Sequence, residues 1–368
     1  MTEQEDNSSE RRETRTGVRL RALALASVGL VALAALGGAW LMMDARRVLH
    51  SPMTIPPEGF VYELASGTTL RQMAAELADA GVLEEPRYLV WQARIDGRAG
   101  AIKAGEYDIR PGTTPLALLD QLVEGRVLQH ALTVVEGWTF AQLLASVAAH
   151  PALDHTLADL PPETIMERIG YPGVHPEGRF FADTYHFPRH TTDRAFLRRA
   201  YDRMSEFLAA AWPARASDLP LASPEEALVL ASLVEKETGA PEERPLIASV
   251  FVNRLRRGMR LETDPSVIYG LGEAFDGNLR RADLRRDTPY NTYTRKGLPP
   301  TPIAIPGAAA IRAVLHPARD DALFFVAKGD GSHYFSETYE EHREAVERYQ
   351  LGRGRDATPQ RAMEAPGG

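Results

Sequence analysis

Hydrophobic and polar positions fall into a few distinct patterns along this chain. Residues 22–43 (ALALASVGLVALAALGGAWLMM) carry no charge, and an apolar run of about 20 residues crosses a hydrocarbon core of roughly 30 Å as a helix. Residues 50–60 are proline-rich and read as a stiff linker. A repeat follows. Residues 62–82 (YELASGTTLRQMAAELADAGV) predict a short strand, a Gly-Thr-Thr turn and an amphipathic helix. Residues 107–127 (YDIRPGTTPLALLDQLVEGRV) have the same layout, with Gly67 and Gly112 in register, and residues 132–147 are a shorter echo. Leu70, Met73 and Leu77, then Leu116, Leu119, Leu122 and Val123, recur at helical spacing. Glycine permits the sharp reversal, Thr69 and Thr114 stand where they cap the next helix, and Pro115 falls at its first position.

Farther on, residues 184–220 read as mostly helical, with a long amphipathic helix capped near Thr192. Ser223-Pro224-Glu225-Glu226 is a capping box that opens a helix ending at Thr238, where Gly239 and Pro241 stop it. Another helix runs from about Arg244 to Gly258. Residues 259–307 form a long stretch of turn residues punctuated by Tyr269, Tyr290 and Tyr293, and so long a loop inside a domain points to function. Residues 322–336 predict a hairpin across Gly-Asp-Gly, residues 337–351 a last helix, and the polar tail from Gly352 disorder. The fold class is α+β.

Composition narrows the chemistry. The chain has 368 residues, enough for two cores, with 44% hydrophobic and 25% charged residues. Its net charge of −8 argues against nucleic acid as a partner. It has no cysteine, which excludes thiol catalysis, cysteine-ligated zinc, iron–sulfur clusters and disulfides. Arg11, Arg12, Arg15, Arg19 and Arg21 precede the apolar run, and only Arg46 and Arg47 closely follow it. The positive-inside rule places residues 1–21 in the cytoplasm and everything beyond Asp44 outside. A cleavable signal peptide stays open as an alternative, because Gly37-Gly38-Ala39 is a small-residue site. The length of the run favours a retained anchor, and both readings export the rest of the chain.

The sharpest chemical question lies in LASLVEKETG, residues 230–239. At about 100° per residue, with Leu230 at zero, Leu233 falls near 300°, Val234 near 40° and Glu237 near 340°. Glu237 therefore projects from the apolar stripe, while Glu235 and Lys236 lie off it, on a solvated or structural side. Burial raises a carboxyl pKa, and the negative end of the helix dipole adds to this. A glutamate held protonated near neutrality suits general-acid chemistry. Other sites are weaker. His175, His186 and His190 share a segment without metal-ligand spacing, and Asp264, Asp276 and Asp283 are candidate second carboxylates in a polar loop.

Four segments in order, LASLVEKETG, IASVFVNRLRRGMRLETDPSVIYGLG, TPYNTYTRKGLPPTPIAIPGAAAIRAVLHP and LFFVAKGDGSHYFSETYEEH, resemble the endolytic murein transglycosylases of the YceG-like family. The likeness extends upstream through IKAGEYDIRPGTTPLALLDQLVEG and TVVEGWTF, and covers about residues 58–350. One departure is Ala182 in EGRFFADTYHFP, where the family usually has proline. The resemblance implies a cytoplasmic tail (1–21), a transmembrane helix (22–43), a linker (44–57), a LysM-like module (58–128), a catalytic domain with lysozyme-like active-site elements (129–351) and a tail (352–368). It implies cleavage of MurNAc–GlcNAc bonds in peptidoglycan without water or cofactor, at the bacterial plasma membrane, with peptidoglycan synthases as expected partners. The family's catalytic glutamate corresponds to Glu237. Asn253, Asp264, Tyr269, Tyr290, Asn291 and Tyr293 are candidate substrate-binding residues, since amides and tyrosines suit sugar hydroxyls and ring faces. A hydrolase using Asp264 or Glu262 as second carboxylate, and a wall-binding protein without activity, are the rival readings.

Overall fold

The computed structural model describes residues 6–352, with the side chains of the first helix described from Leu25 onward. The expected tail from residue 353 lies outside the described residues, as do residues 1–5. The chain mixes helices with short two-stranded sheets and divides into two compact units, the first ending at Gln129 and the second starting at His130.

In the first unit, α1 (Asp6–His50) contains a stretch, Leu25–His50, long and apolar enough to cross a membrane. It does not stop at the end of the apolar run. Leu49 and Met53 are buried in the unit's core, and Leu41, Ala45 and Val48 pack against it. The linker expected over residues 44–57 is thus half helix and partly core, because leucine, valine and methionine there supply apolar surface that the unit covers. β1 (Phe60–Leu64) leads to α2 (Leu70–Asp79), α3 (Pro86–Ile95), β2 (Gly105–Ile109) and α4 (Pro115–Glu124). β1 and β2 are antiparallel, with Tyr62 opposite Tyr107. Gly67 and Gly112 take φ of +86° and +91°, which the turn requires and a Cβ would strain. Thr69 caps α2 in a reciprocal capping box with Gln72, and Thr114 caps α4 at Ala117 N. α3 has no counterpart among the sequence expectations. Met73, Leu77, Leu89, Tyr107, Ile109 and Leu122 close the core.

The second unit has two apolar clusters. Around one lie β3 (Gln129–Thr133), α5 (Phe140–Ala148), β4 (Leu153–Asp154), α6 (Pro162–Ile169), β5 (Thr184–Pro188), β6 (Thr191–Thr192) and α7 (Asp193–Ala211). β3 pairs with β5, and β4 runs parallel to β6. Residues 184–192, the start of the segment expected to be mostly helical, are two short strands joined by a turn. The alternating burial of Tyr185 and Phe187 against polar Thr184 and His186 is the two-residue period that the helical reading passed over. Thr192 does cap α7, accepting from Ala195 N at 3.1 Å.

Around the other cluster, α8 (Pro224–Glu237), α9 (Arg244–Arg256), α10 (Asp264–Leu271), α11 (Arg281–Arg285) and α12 (Ala308–Leu315) lead to the hairpin β7 (Phe324–Ala327) and β8 (His333–Ser336), then α13 (Tyr339–Val346). Ser223 accepts from Glu226 N at 3.3 Å, while the Glu226 carboxylate reaches past Ser223 to Ala222 N at 2.6 Å. Residues Ala227 to Val234 of α8 are all buried, so α8 is central and packs against both α9 and α12. Ser232 Oγ accepts from Ile303 N at 3.0 Å and ties the long loop to this helix. In the hairpin Ala327 faces His333, and Gly329 and Gly331 turn the chain at φ of +87° and +94°.

Candidate active site

Helix α8 ends at Glu237, where Thr238 turns extended (φ −141°, ψ 138°). The three residues of the Glu-Lys-Glu run go three ways. Glu235 is not solvated: its side chain is only 7% exposed, lies 3.4 Å from Arg244, and accepts from Gly307 N at 3.0 Å. Lys236 is exposed and donates to Gly137 O at 3.3 Å. Glu237 keeps part of its surface open to a cleft, although the surrounding atoms displace most of the water that would stabilise its charge. That burial pushes its carboxyl up from 4.5 to about 7. The nearby Asp264 charge adds to the rise, while the Thr263 hydroxyl, His333 and Arg254 oppose it. Thr263 Oγ1 is buried and makes no hydrogen bond of normal length among the described residues.

Glu237 lines two clefts. One, of about 440 Å³, is walled by Arg254, Glu262, Asp264, Tyr293, Phe324, His333, Tyr339 and His342, among others. The other, of about 420 Å³, includes Val135, Glu136, Trp138, Gln142, Glu235 and Arg244. In the second, burial and the Glu235 charge raise the Glu136 carboxyl, and Arg244 lowers it.

A raised pKa by itself does not select Glu237. The buried Glu177 is also pushed up, to about 6, by burial. Its two oxygens are taken by Phe140 N (2.9 Å) and the Tyr269 hydroxyl (3.1 Å), and it lines neither cleft. It is a brace. Glu136 joins a raised carboxyl to a place in one cleft, but of the three only Glu237 lines both.

The structure brings together only some of the residues marked from sequence. Asp264 opens α10 and accepts from the Tyr293 hydroxyl at 2.6 Å, and both line the cleft with Glu237. The Tyr293 phenol is held protonated, chiefly by burial and then by that bond. Asn253, Tyr269, Tyr290 and Asn291 do not line either cleft with Glu237. Asn253 donates to Asp320 O (2.8 Å) and Ala322 O (3.1 Å) and borders a different cavity. Tyr269 holds Glu177 and packs edge-on against Tyr290, whose hydroxyl meets Thr301 at 2.9 Å. Asn291 is 1% exposed, donates to the carbonyls of Asp283, Leu284 and Arg286, and accepts from Tyr293 N at 2.8 Å. It knots the loop that presents Tyr293. Asp276 pairs with Arg280, and Asp283 accepts from Arg280 N, so both serve the surface near α11. Among the other marked residues, His190 lies 3.0 Å from Asp154, and His175 accepts from Glu177 N at 3.3 Å.

Of four further wall residues, the sequence marks only Glu262, as a hydrolase's second carboxylate, and leaves Arg254, His333 and His342 unmarked. Arg254 is 7% exposed and fastens the cleft floor through Leu323 O (2.6 Å), Leu261 O (2.9 Å) and Glu262 (3.3 Å). Glu262 adopts φ +51°, a left-handed conformation that costs a non-glycine residue about 1 kcal/mol or more. His333 donates its backbone N–H to Glu243 at 2.8 Å, and its Nδ1 lies 2.6 Å from the other Glu243 oxygen. His342 stacks on Phe324 with ring centroids 5.1 Å apart. The available signal is an arginine just past the apolar run of α9 and a histidine next to two aromatics in a hairpin strand.

Comparison with known proteins adds an independent line. Residues 62–348 match the YceG-like family. A relative named endolytic murein transglycosylase from Bacillus subtilis is 31% identical over 303 residues, covering 78% of this chain and 83% of the relative. One of the same name from Streptococcus pneumoniae is 27% identical over 316 residues, covering 76% of this chain but only 56% of its own length. A crystal structure of a YceG-like protein from Listeria monocytogenes aligns with a TM-score of 0.49 and 28% identity, covering 78% of this chain and 99% of that one. With the family match running through most of the chain, and with Glu237, Asp264 and Tyr293 inside the matched region, this protein belongs to the YceG-like family.

Proposed function

We propose that this protein is a membrane-anchored endolytic lytic transglycosylase of peptidoglycan. It cleaves β-1,4 bonds between N-acetylmuramic acid and N-acetylglucosamine within nascent strands, leaves 1,6-anhydromuramic ends, and so terminates strand growth. The observation that carries this reading is Glu237, a carboxyl pushed up to about 7 that faces two clefts at once. Protonation near neutrality fits a general acid. Lining two clefts fits an acid that works inside a strand.

Protonated Glu237 donates to the glycosidic oxygen as N-acetylglucosamine leaves. The resulting carboxylate takes the proton from the C6 hydroxyl of the same muramic acid, and O6 closes on C1. The nucleophile is already tethered near C1, so no second carboxylate has to activate water. Asp264 holds the Tyr293 hydroxyl, which orients that phenol ring along the cleft wall to meet a sugar face. Residues 58–128 serve as a LysM-like glycan-binding module, and residues 129–351 form the catalytic domain with lysozyme-like elements. α1 is a single pass through the bacterial plasma membrane, with its N-terminus cytoplasmic and both units outside. The substrate is the glycan strand, and peptidoglycan synthases are the partners that strand termination would require.

One observation favours a second reading. Glu262 and Asp264 share the cleft with Glu237, as a hydrolytic carboxylate pair would. Digestion of purified glycan strands by the full chain, with mass analysis of the new ends, separates the two. An anhydro end is lighter than a reducing end by one water. Reducing ends would sink the transglycosylase reading, and undiminished cleavage by Glu237→Gln would remove Glu237 from the mechanism.

A further inference from the structure

The first unit carries an exposed surface that neither its core nor the active site uses. On α3, Arg87, Trp91, Arg94 and Ile95 stand at helical spacing on the solvent side, with Trp91 45% and Ile95 81% exposed. The opposite side of the same helix, Tyr88, Leu89 and Ala93, is buried in the core. A tryptophan and an isoleucine flanked by two arginines is the composition of a helix face that rests in a lipid interface.

Its position relative to α1 says what covers it. α1 packs against α3 and α4. The Tyr88 hydroxyl donates to Asp44 Oδ2 at 2.9 Å, and Asp44 is the first charged residue after the apolar run. Contact continues below that charge. Leu41 packs against the unit's core, while its neighbours Trp40, Met42 and Met43 are 67–71% exposed. At about 1.5 Å per residue, Leu41 lies roughly 5 Å below Asp44 along the helix axis. The unit therefore reaches down alongside the apolar stretch and is not held above it on a tether. The Trp91 ring lies 5.9 Å from the ring of Tyr88, the residue bonded to Asp44. Arg46 and Arg47 are exposed at the same level of α1.

We propose that the Arg87/Trp91/Arg94/Ile95 face of α3 is a membrane-contact surface, seated in the headgroup and upper acyl region of the leaflet from which α1 emerges. Trp91 and Ile95 enter the interface, and the arginines meet lipid phosphates. The first unit then lies on the bilayer. This rests on the reading of α1 as a membrane span, and the test separates the two.

The full chain, Trp91→Phe and Trp40→Phe are reconstituted into phosphatidylcholine–phosphatidylglycerol vesicles with ordinary or brominated acyl chains. The difference each substitution makes to the quenchable tryptophan emission isolates that residue's share. The expected result is loss of emission in brominated vesicles for both the Trp40 and Trp91 shares, and recovery of the Trp91 share alone in Ile95→Asp, a change at an exposed position. Quenching of Trp40 without Trp91 overturns the contact surface and leaves the anchor standing. Quenching of neither overturns the anchor, and the surface with it. A Trp91 emission that is blue-shifted but indifferent to bromination assigns the face to a protein neighbour and also overturns the proposal.

Discussion

Glu235 and Glu237 leave the same end of α8, two residues apart, for different surroundings. Glu235 is held by Arg244 and Gly307 N, whereas Glu237 faces open clefts with an elevated pKa. Because the folded-state pKa of Glu237 is raised, from 4.5 to about 7, its ionisation opposes folding. The favourable contribution is complete below pH 4.5 and is lost as pH rises through about 7, a change of about 3 kcal/mol. Glu237→Gln should therefore unfold at higher temperature than the parent at pH 8, and the gap should close below pH 4.5. The same substitution should reduce strand cleavage by about 10²–10⁴-fold, and parental activity should decline above pH 7 as the acid deprotonates. Tyr293→Phe removes the hydrogen bond to Asp264 but leaves the ring. A bond to a charged group contributes up to about 1.5–3 kcal/mol to stability, so the unfolding temperature should fall, and kcat/KM should fall with it because the ring loses the bond that orients it. Asn291→Ala should cost more: with three carbonyls and Tyr293 N losing their partner, stability should fall by about 2–4 kcal/mol in denaturant titration.

Local punctuation in the chain accounts for much of the element pattern. Thr69, Thr114, Thr139, Thr192 and Ser223 all cap the helices they precede, because a side-chain oxygen there answers an otherwise orphaned N–H. The repeated Gly-Thr-Thr turn was readable for the same reason: only glycine takes that φ without strain. What escaped was α3, whose PRYLVWQARI is apolar on more than one side, and the β5–β6 segment, where two short strands depend on distant partners. The length of α1 was also misjudged, since the core that covers Leu49 and Met53 comes from residues far along the chain. A fragment of the first unit that begins at residue 58 loses that cover. Each buried leucine or methionine contributes about 1.5–3 kcal/mol, so this fragment should melt well below one that begins at residue 44, as circular dichroism would register.

The two units have separate cores and so separate thermodynamics. Calorimetry of the whole chain should depart from a two-state transition. Met73→Ala should lower one component and Phe251→Ala another, each by about 2–5 kcal/mol. For the site as a whole, the sequence by itself determined the family, the apolar run, the caps and the different sides of α8 from which Glu235 and Glu237 project, because those are carried by contiguous residues and by a helical period. Only the tertiary structure decided which loop residues face Glu237. Asn253 and Asp264, or Asn291 and Tyr293, all carry hydrogen-bonding groups suited to a sugar. Burial and hydrogen bonding to residues as distant as Asp320 and Ala322 turn Asn253 into a brace, while the pairing of Asp264 with Tyr293 keeps both in the cleft. His333 enters the site only because a hairpin about 90 residues downstream of Glu243 folds back onto it. No local pattern encodes such contacts; they exist only once the second unit's core has packed the intervening chain into place.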